Sequence, residues 1–350
     1  LFWPLVLIGA GVVWLLYGLE VISGANLAVL GLIWPILLIG IGVDLIVGHR
    51  SPAAGALVGV VTVALVIVLI LVGPGLGWVE DTELTTQEFV TPVGAATEAR
   101  IEIGLSGYSA SVHALSPATG PERPLLAATL TYRGTIDFNV EGTTRRVVTL
   151  KPGSDWQWWQ RIGDDTANPW DIGLDGGVPL QVQVQSSSGS STLDLTGLQL
   201  RSLEIEASSG DSQVVLPAPD PLSSFRPSVR LQSSSGRMDV QAPDGAAFGA
   251  DVEMSSGDTR LTLGKDSTVD VGFRGSSGQF VVTVVSGQAL RVEVQDISSG
   301  DVDLPDGLIR ISGDEEEGVW QTEGYESAPY RVHVIIERMS SGSVEVRVEG

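Results

Sequence analysis

Two hydrophobicity patterns divide the chain. Residues 1–78 are almost continuously apolar, whereas residues 79–350 alternate apolar and polar positions in short runs broken by Gly, Pro and Ser. A bilayer-spanning helix needs about 20 apolar residues, with roughly 17 to 25 as the working range. Three stretches reach that length, residues 1–19, 26–48 and 54–78, and Asp44 is the one charge within them. The pattern predicts three transmembrane helices within residues 1–79. A signal peptide fits less well, because no Ala-x-Ala site closes the first stretch and further apolar stretches follow it. Beyond this block, residues 80–98 read as a linker and first strand. Residues 99–180 read as an irregular β layer or cap, and 181–350 as β repeats.

The apolar block contains a duplication. Phe2-Trp3-Pro4-Leu5-Val6-Leu7-Ile8-Gly9-Ala10-Gly11 is repeated as Ile33-Trp34-Pro35-Ile36-Leu37-Leu38-Ile39-Gly40-Ile41-Gly42, an offset of 31. Trp3 and Trp34 suit the headgroup level, and Pro4 and Pro35 suit a first helical turn. Gly40 and Gly42, with Gly55 and Gly59 in the third stretch, suit close helix packing. Pro35 marks either the start of a short second span or a kink in a longer one. His49-Arg50 places the loop after the second stretch in the cytoplasm, which makes residues 80–350 extracytoplasmic. Asp44 has two readings, an interfacial residue beside that loop or a functional intramembrane acid.

In the second half, Ser-Ser-Gly recurs with its glycine at 189, 210, 236, 257, 278, 300 and 342, in steps of 21, 26, 21, 21, 22 and 42. The step of 26 contains the Pro-rich stretch 217–227, and the step of 42 reads as two coils, one without its turn marker. Four residues after each glycine stand Leu193, Val214, Val240, Leu261, Val282, Leu304 and Val346. Five residues before the first five glycines stand Val184, Ile205, Leu231, Val252 and Phe273. Before Gly300 and Gly342 that column slips by one, to Val294 and Ile336, which a one-residue bulge explains. Period two within an arm and about 21 between arms predicts an all-β domain, wound as a β-solenoid of two-strand coils with Ser-Ser-Gly turns. Glycine is expected there for the positive φ of a tight corner. Edge strands of such a column need covering, by residues 80–180 at one end and 325–350 at the other.

The Trp-Pro repeat resembles the LiaI–LiaF-like transmembrane region of bacterial cell-envelope proteins. The Ser-Ser-Gly repeat resembles the toast-rack, or adhesin-type, domain that often follows it. The resemblance implies a multi-pass bacterial membrane protein without catalytic residues. It also implies a stress sensor acting on a membrane partner. The regular outer ladders read by themselves as an envelope scaffold or interaction subunit, with the bilayer, a second copy or another membrane protein as partner.

Composition narrows the chemistry. The chain has 350 residues, 42 acidic against 20 basic, for a net charge of −22, which argues against nucleic acid as a partner. Cysteine is absent and histidine occurs only at 49, 113 and 333, so thiolate chemistry and local His-rich metal motifs are excluded. No Walker loop, Gly-x-Ser-x-Gly elbow or Rossmann fingerprint is present, and no cofactor is expected. Asp301, Asp303 and Asp306 form the one candidate Ca²⁺ set, against the plainer reading of solvated acids. Trp156, Trp158 and Trp159 are the most aromatic cluster, either a cap or a patch for a partner or a cell-envelope glycan. That patch supports an alternative reading, an adhesin or polysaccharide-binding module.

Overall fold

The computed structural model describes residues 2–19, 21–22, 24–48, 52–73, 76, 84–153, 169–219, 225–314 and 316–349. The apolar block forms three helices, α1 (Phe2–Gly18), α2 (Gly24–Val43) and α3 (Pro52–Val72), with a π-helical turn over Asp44–Gly48 after α2. The duplication has a packing meaning. A Cβ on Gly9 would stand 2.6 Å from Val63, and one on Gly40 would stand 2.7 Å from Thr62. The first glycine of each repeat therefore seats its helix against adjacent residues of α3, whereas Gly42 meets nothing within 4 Å. Gly55 and Gly59 are buried, Pro4 is exposed, and Trp3's side chain lies outside the described residues. Ile22, Val29, Ile33, Val66 and Ile70 form the core of this unit, and Asn26 Nδ2 donates to the Ile70 carbonyl at 2.7 Å. Many other apolar side chains are exposed, Trp14 at 75% and Ile46 at 74% among them.

The three-span, multi-pass expectation is corrected here. Among the described residues only Ala54–Val72 is both long and apolar enough to cross a membrane. α1 has 17 residues, a rise of about 26 Å against a hydrocarbon core of about 30 Å. The second stretch is not one regular helix, because α2 contains Pro35 and gives way to the π-helical turn at Asp44. A run of apolar residues overstated helix length.

The β-unit begins with β1 (Thr85–Pro92), β2 (Glu98–Ser106), β3 (Ala110–Ala114), β4 (Pro124–Tyr132), β5 (Ile136–Glu141), β6 (Arg145–Pro152) and β7 (Trp170–Leu174). It continues with β8 (Leu180–Ser188), β9 (Ser191–Asp194), β10 (Leu200–Ser209), β11 (Asp211–Val215), β12 (Ser228–Ser233), β13 (Arg237–Ala242), β14 (Ala247–Met254) and β15 (Asp258–Leu263). Last come β16 (Thr268–Val285), β17 (Ala289–Val294), β18 (Asp301–Asp303), β19 (Ile309–Gly313), β20 (Gly318–Gln321) and β21 (Arg331–Glu349).

Sixteen of these strands pair in parallel. They make two facing walls. One runs β6–β2–β8–β10–β12–β14–β16–β21–β17, and the other runs β7–β3–β9–β11–β13–β15–β16–β21–β18. β16 and β21 are long enough to pass through both walls, so hydrogen bonding continues from one to the other. The body is a nearly closed 16-strand barrel, not the open β-solenoid expected from the period. β1, β4 and β5 add antiparallel at one end, and β20 and β19 at the other.

Spatial order also departs from chain order. β2 and β3 lie between β6/β7 and β8/β9, and β21 lies between β16 and β17/β18. The step of 42 is thus no lost coil: residues 309–321 form the antiparallel pair β19–β20, and residues 331–349 are an internal rung, not a terminal cap.

Period-two alternation fills the interior. Leu193, Val214, Val240, Leu261, Val282 and Val346 are consecutive register partners and all buried. Opposite them run Val184, Ile205, Leu231, Val252, Phe273, Ile336 and Val294, also buried. The slip in that column sits at Glu337, where the register shifts between Phe273 and Arg274 against β21.

Candidate interaction faces

The Ser-Ser-Gly arches stack into a glycine column. A Cβ on Gly210, Gly236, Gly257, Gly278 or Gly342 would come within 2.0–2.4 Å of the carbonyl oxygen of the neighbouring rung's glycine, and one on Gly189 within 2.4 Å of the Tyr108 oxygen. Gly300 meets the Gly342 oxygen at 3.0 Å. Only Gly210 and Gly278 of this set have positive φ. Close stacking, more than turn geometry, is what excludes a side chain there. Beside the column, Ser209, Ser235, Ser256 and Ser277 donate their hydroxyls to the carbonyls of Ser187, Ser208, Ser234 and Ser255, tying each arch to the one before. Met238, Met254 and Met339, the chain's three methionines, are buried, and Met339 packs beneath Gly300 and Gly342.

Outward-facing positions form polar ladders, because parallel in-register pairing sets like positions side by side. On the β8–β10–β12–β14–β16 wall, Glu204, Arg230, Asp251 and Gly272 are register partners, as are Glu206, Gln232, Glu253 and Arg274. Arg274 is the hub, 3.0 Å from Asp251 and 2.8 Å from Glu337, while Arg230 reaches Asp251 at 3.4 Å. Asp251, then Glu337, raise the pKa of its guanidinium further. Two open grooves of about 570 and 600 Å³ share Arg274, the first lined by Glu206, Gln232, Glu253 and Arg338 and the second floored by Gly249 and Gly272.

On the opposite wall, Asp211, Arg237, Asp258, Gln279, Ser343 and Asp301 share one outer column, so cationic and neutral residues separate the acids. Asp303 pairs in register with Glu345. Among the described residues no three His, Asp or Glu side chains gather as a metal site, so Asp301, Asp303 and Asp306 are not brought together as ligands. His113 pairs with exposed Asp171 at 3.3 Å.

His333, in β21, was not singled out by sequence reasoning. It is half-buried between Asp270 and Glu293, and burial pushes its pKa below the ordinary 6.5 against the pull of those two carboxylates. Among the described residues its Nε2 has no hydrogen-bond partner, with Glu293 3.6 Å away.

Trp156, Trp158 and Trp159 fall outside the described residues. The expectation of a membrane-anchored solenoid acting as scaffold or stress sensor is not retained, because both its premises, three spans and an open column, fail.

Residues 180–347 match the family described as Toastrack DUF4097, and residues 125–229 match the N-terminal domain of toast_rack, DUF2154. A crystal structure of a candidate cell adhesion protein from Clostridium sporogenes is similar at 11% identity and a TM-score of 0.41, covering 76% of this chain and 100% of that one. No curated protein matches the chain.

Proposed function

We propose that this chain, whose β-unit belongs to the toast-rack family, is a non-enzymatic adhesion-type module that binds a hydroxyl-rich polymer, a polysaccharide in the first place. Toast-rack domains serve as interaction modules, and cysteine is absent. The observation that carries the reading is the pair of grooves meeting at Arg274. They cross successive rungs, spaced about 4.8 Å apart, and offer carboxylates, amides and a guanidinium on a rigid floor. Sugar hydroxyls donate to Glu206 and Glu253 and accept from Gln232 and Arg274, so a polymer laid across the rungs meets matching groups at each step. Arg274 is ion-paired with both Asp251 and Glu337, which fixes its orientation before a ligand arrives.

A polysaccharide array probed with the wild type, a Glu253→Gln/Arg274→Ala variant and a Trp156→Ala/Trp158→Ala/Trp159→Ala variant tests this reading. Binding lost in the groove variant, by roughly 10- to 100-fold for removal of charged hydrogen bonds, supports the groove. Loss confined to the tryptophan variant moves the contact to that cluster. Absence of binding to every polysaccharide overturns the reading.

A further inference from the structure

On the wall that starts at β6, the outward positions nearest the Ser-Ser-Gly arches form one unbroken row. From Arg274 and Arg338, which are register partners, the row runs back through Glu253, Gln232, Glu206 and Gln185. Gly104 is the register partner of Gln185. Lys151 follows on β6, where a Cβ on Gly104 would stand 2.9 Å from the Lys151 Cβ. All of these residues are exposed or half-buried. The eight strands β6, β2, β8, β10, β12, β14, β16 and β21 contribute one residue each. At about 4.8 Å per step the row is about 34 Å long.

A third groove, of about 250 Å³, lies at the Lys151 end of this row, lined by Glu102, Gly104, Thr149, Lys151, Gln183 and Gln185. Gln185 joins it to the first of the Arg274 grooves, because its Nε2 donates at 2.9 Å to Oε2 of Glu206, which lines that groove. The side chains are held in place by one another. Arg100 reaches Glu102 at 2.8 Å and Gln183 at 3.0 Å, and Thr149 donates to Glu102 at 3.3 Å. Gln232 donates to Glu253, also at 3.3 Å. Lys151 pairs with Asp137 at 3.7 Å, and its ammonium has further donors to offer. In a chain of net charge −22, the row sets three cations, Lys151, Arg274 and Arg338, against two carboxylates, Glu206 and Glu253. Charges that nearly cancel, interleaved with amides, suit an uncharged ligand that carries donors and acceptors along its whole length.

Resting on the polysaccharide reading, we infer that the three grooves act as one track for an uncharged β-1,4-linked polysaccharide laid across the strands, with the Lys151 groove as its second anchoring point. A chain so linked extends as a ribbon and advances about one rung spacing per sugar. Successive sugars therefore present their hydroxyls to successive rungs. An α-1,4-linked chain coils and leaves the row after a few residues. No single contact of this kind is strong, but contacts repeated along one chain accumulate, because each is made at the high effective concentration set by the last. A six-residue chain with one end at Arg274 reaches Gly104, whereas a four-residue chain stops at Glu206.

Calorimetric titration of the full chain with cello-oligosaccharides of two, four and six residues is the test, with malto-oligosaccharides of the same lengths as the coiled control. Affinity in the cello series is expected to rise roughly 5-fold with each added pair of sugars, the worth of about one hydrogen bond. The malto series is expected to stay flat. A Lys151→Ala/Gln185→Ala variant, changed at two exposed positions, is expected to match the wild type up to four residues and to lose the gain at six. The length series on the wild type stands whether or not that variant folds. Affinity that levels off at two residues, equal gains in the malto series, or a variant that follows the wild type at six residues overturns the track and leaves the Arg274 reading in place. Binding of neither series, where the array has returned another polysaccharide, overturns the linkage assigned here but not that reading. An array without any bound polysaccharide overturns both.

Discussion

Replacing Gly236 by alanine isolates the glycine column from every other feature of the barrel. Its φ is outside the left-handed region, so backbone strain plays no part. The new methyl would stand 2.0 Å from the Gly210 carbonyl oxygen and 3.0 Å from the Gly210 nitrogen, whereas ordinary contact begins near 3.4 Å. Neither neighbour is the end of a flexible side chain, so the two rungs have to part by more than an ångström. Overpacking of this kind costs about 1–3 kcal/mol. The separation also loosens Ser235 N–H to Ser208 O and Ser234 N–H to Ala207 O, both 2.9 Å, at about 1 kcal/mol each. The loss of unfolded-state freedom in going from Gly to Ala returns about 0.4–1 kcal/mol. A net loss of about 3 kcal/mol follows, a Tm about 6–12 °C lower for a domain of this size. Gly249→Ala is the control: it adds the same methyl where nothing lies within 4 Å, and it should stay within about 1 kcal/mol of wild type. Thermal unfolding followed by circular dichroism reads both. Equal melting temperatures for the two variants would refute the account of why glycine occupies these arches.

Three further outcomes follow from buried groups. Phe273→Ala removes a fully buried ring stacked 4.3 Å from Phe280 and should cost about 3–5 kcal/mol in denaturant titrations; a loss below about 1 kcal/mol contradicts its place in the core. Asp175 is buried and accepts from Arg123 at 3.1 and 3.3 Å and from the Gly177 N–H at 3.2 Å, so Asp175→Ala, which strands the guanidinium, should destabilise by about 3 kcal/mol, measured the same way. His333 has a folded pKa below 6.5 because of burial, so the unfolded chain binds the proton first as pH falls. Its contribution is whole above about pH 6.5 and drains away below it down to the folded pKa. Stability measured between about pH 7 and 5 should therefore fall less in His333→Gln than in wild type, and an equal or greater fall in the variant counts against it.

Much of the β-unit's local order is readable in the chain. The inward columns through Val214 and Leu231 follow from period two, and the slip before Gly342 announces the bulge at Glu337. What a repeat count cannot carry is which rung lies beside which. Gly278 and Gly342 are register partners 64 residues apart, and no periodicity distinguishes that pairing from two sequential coils. The same blindness turned a set of rungs into an open solenoid, because wall closure depends on β16 and β21 running through both walls. Three apolar stretches became three spans because composition reports hydrophobicity but not where a helix stops. The register slip between Leu200 and Ser202 likewise exists only once strands are paired.

The exchange of order at both ends of the barrel limits how such a molecule is made. Because β21 separates β16 from β17 and β18, the β17–β18 arm has no partner on that side until residues 331–349 have been synthesised. Assembly of that end waits on translation of those residues instead of advancing rung by rung behind the ribosome. For the same reason, duplicating a rung such as β12–β13 would extend the barrel in the middle, where neighbours in the chain are neighbours in space. A copy added beyond β21 would find both of that strand's edges already taken.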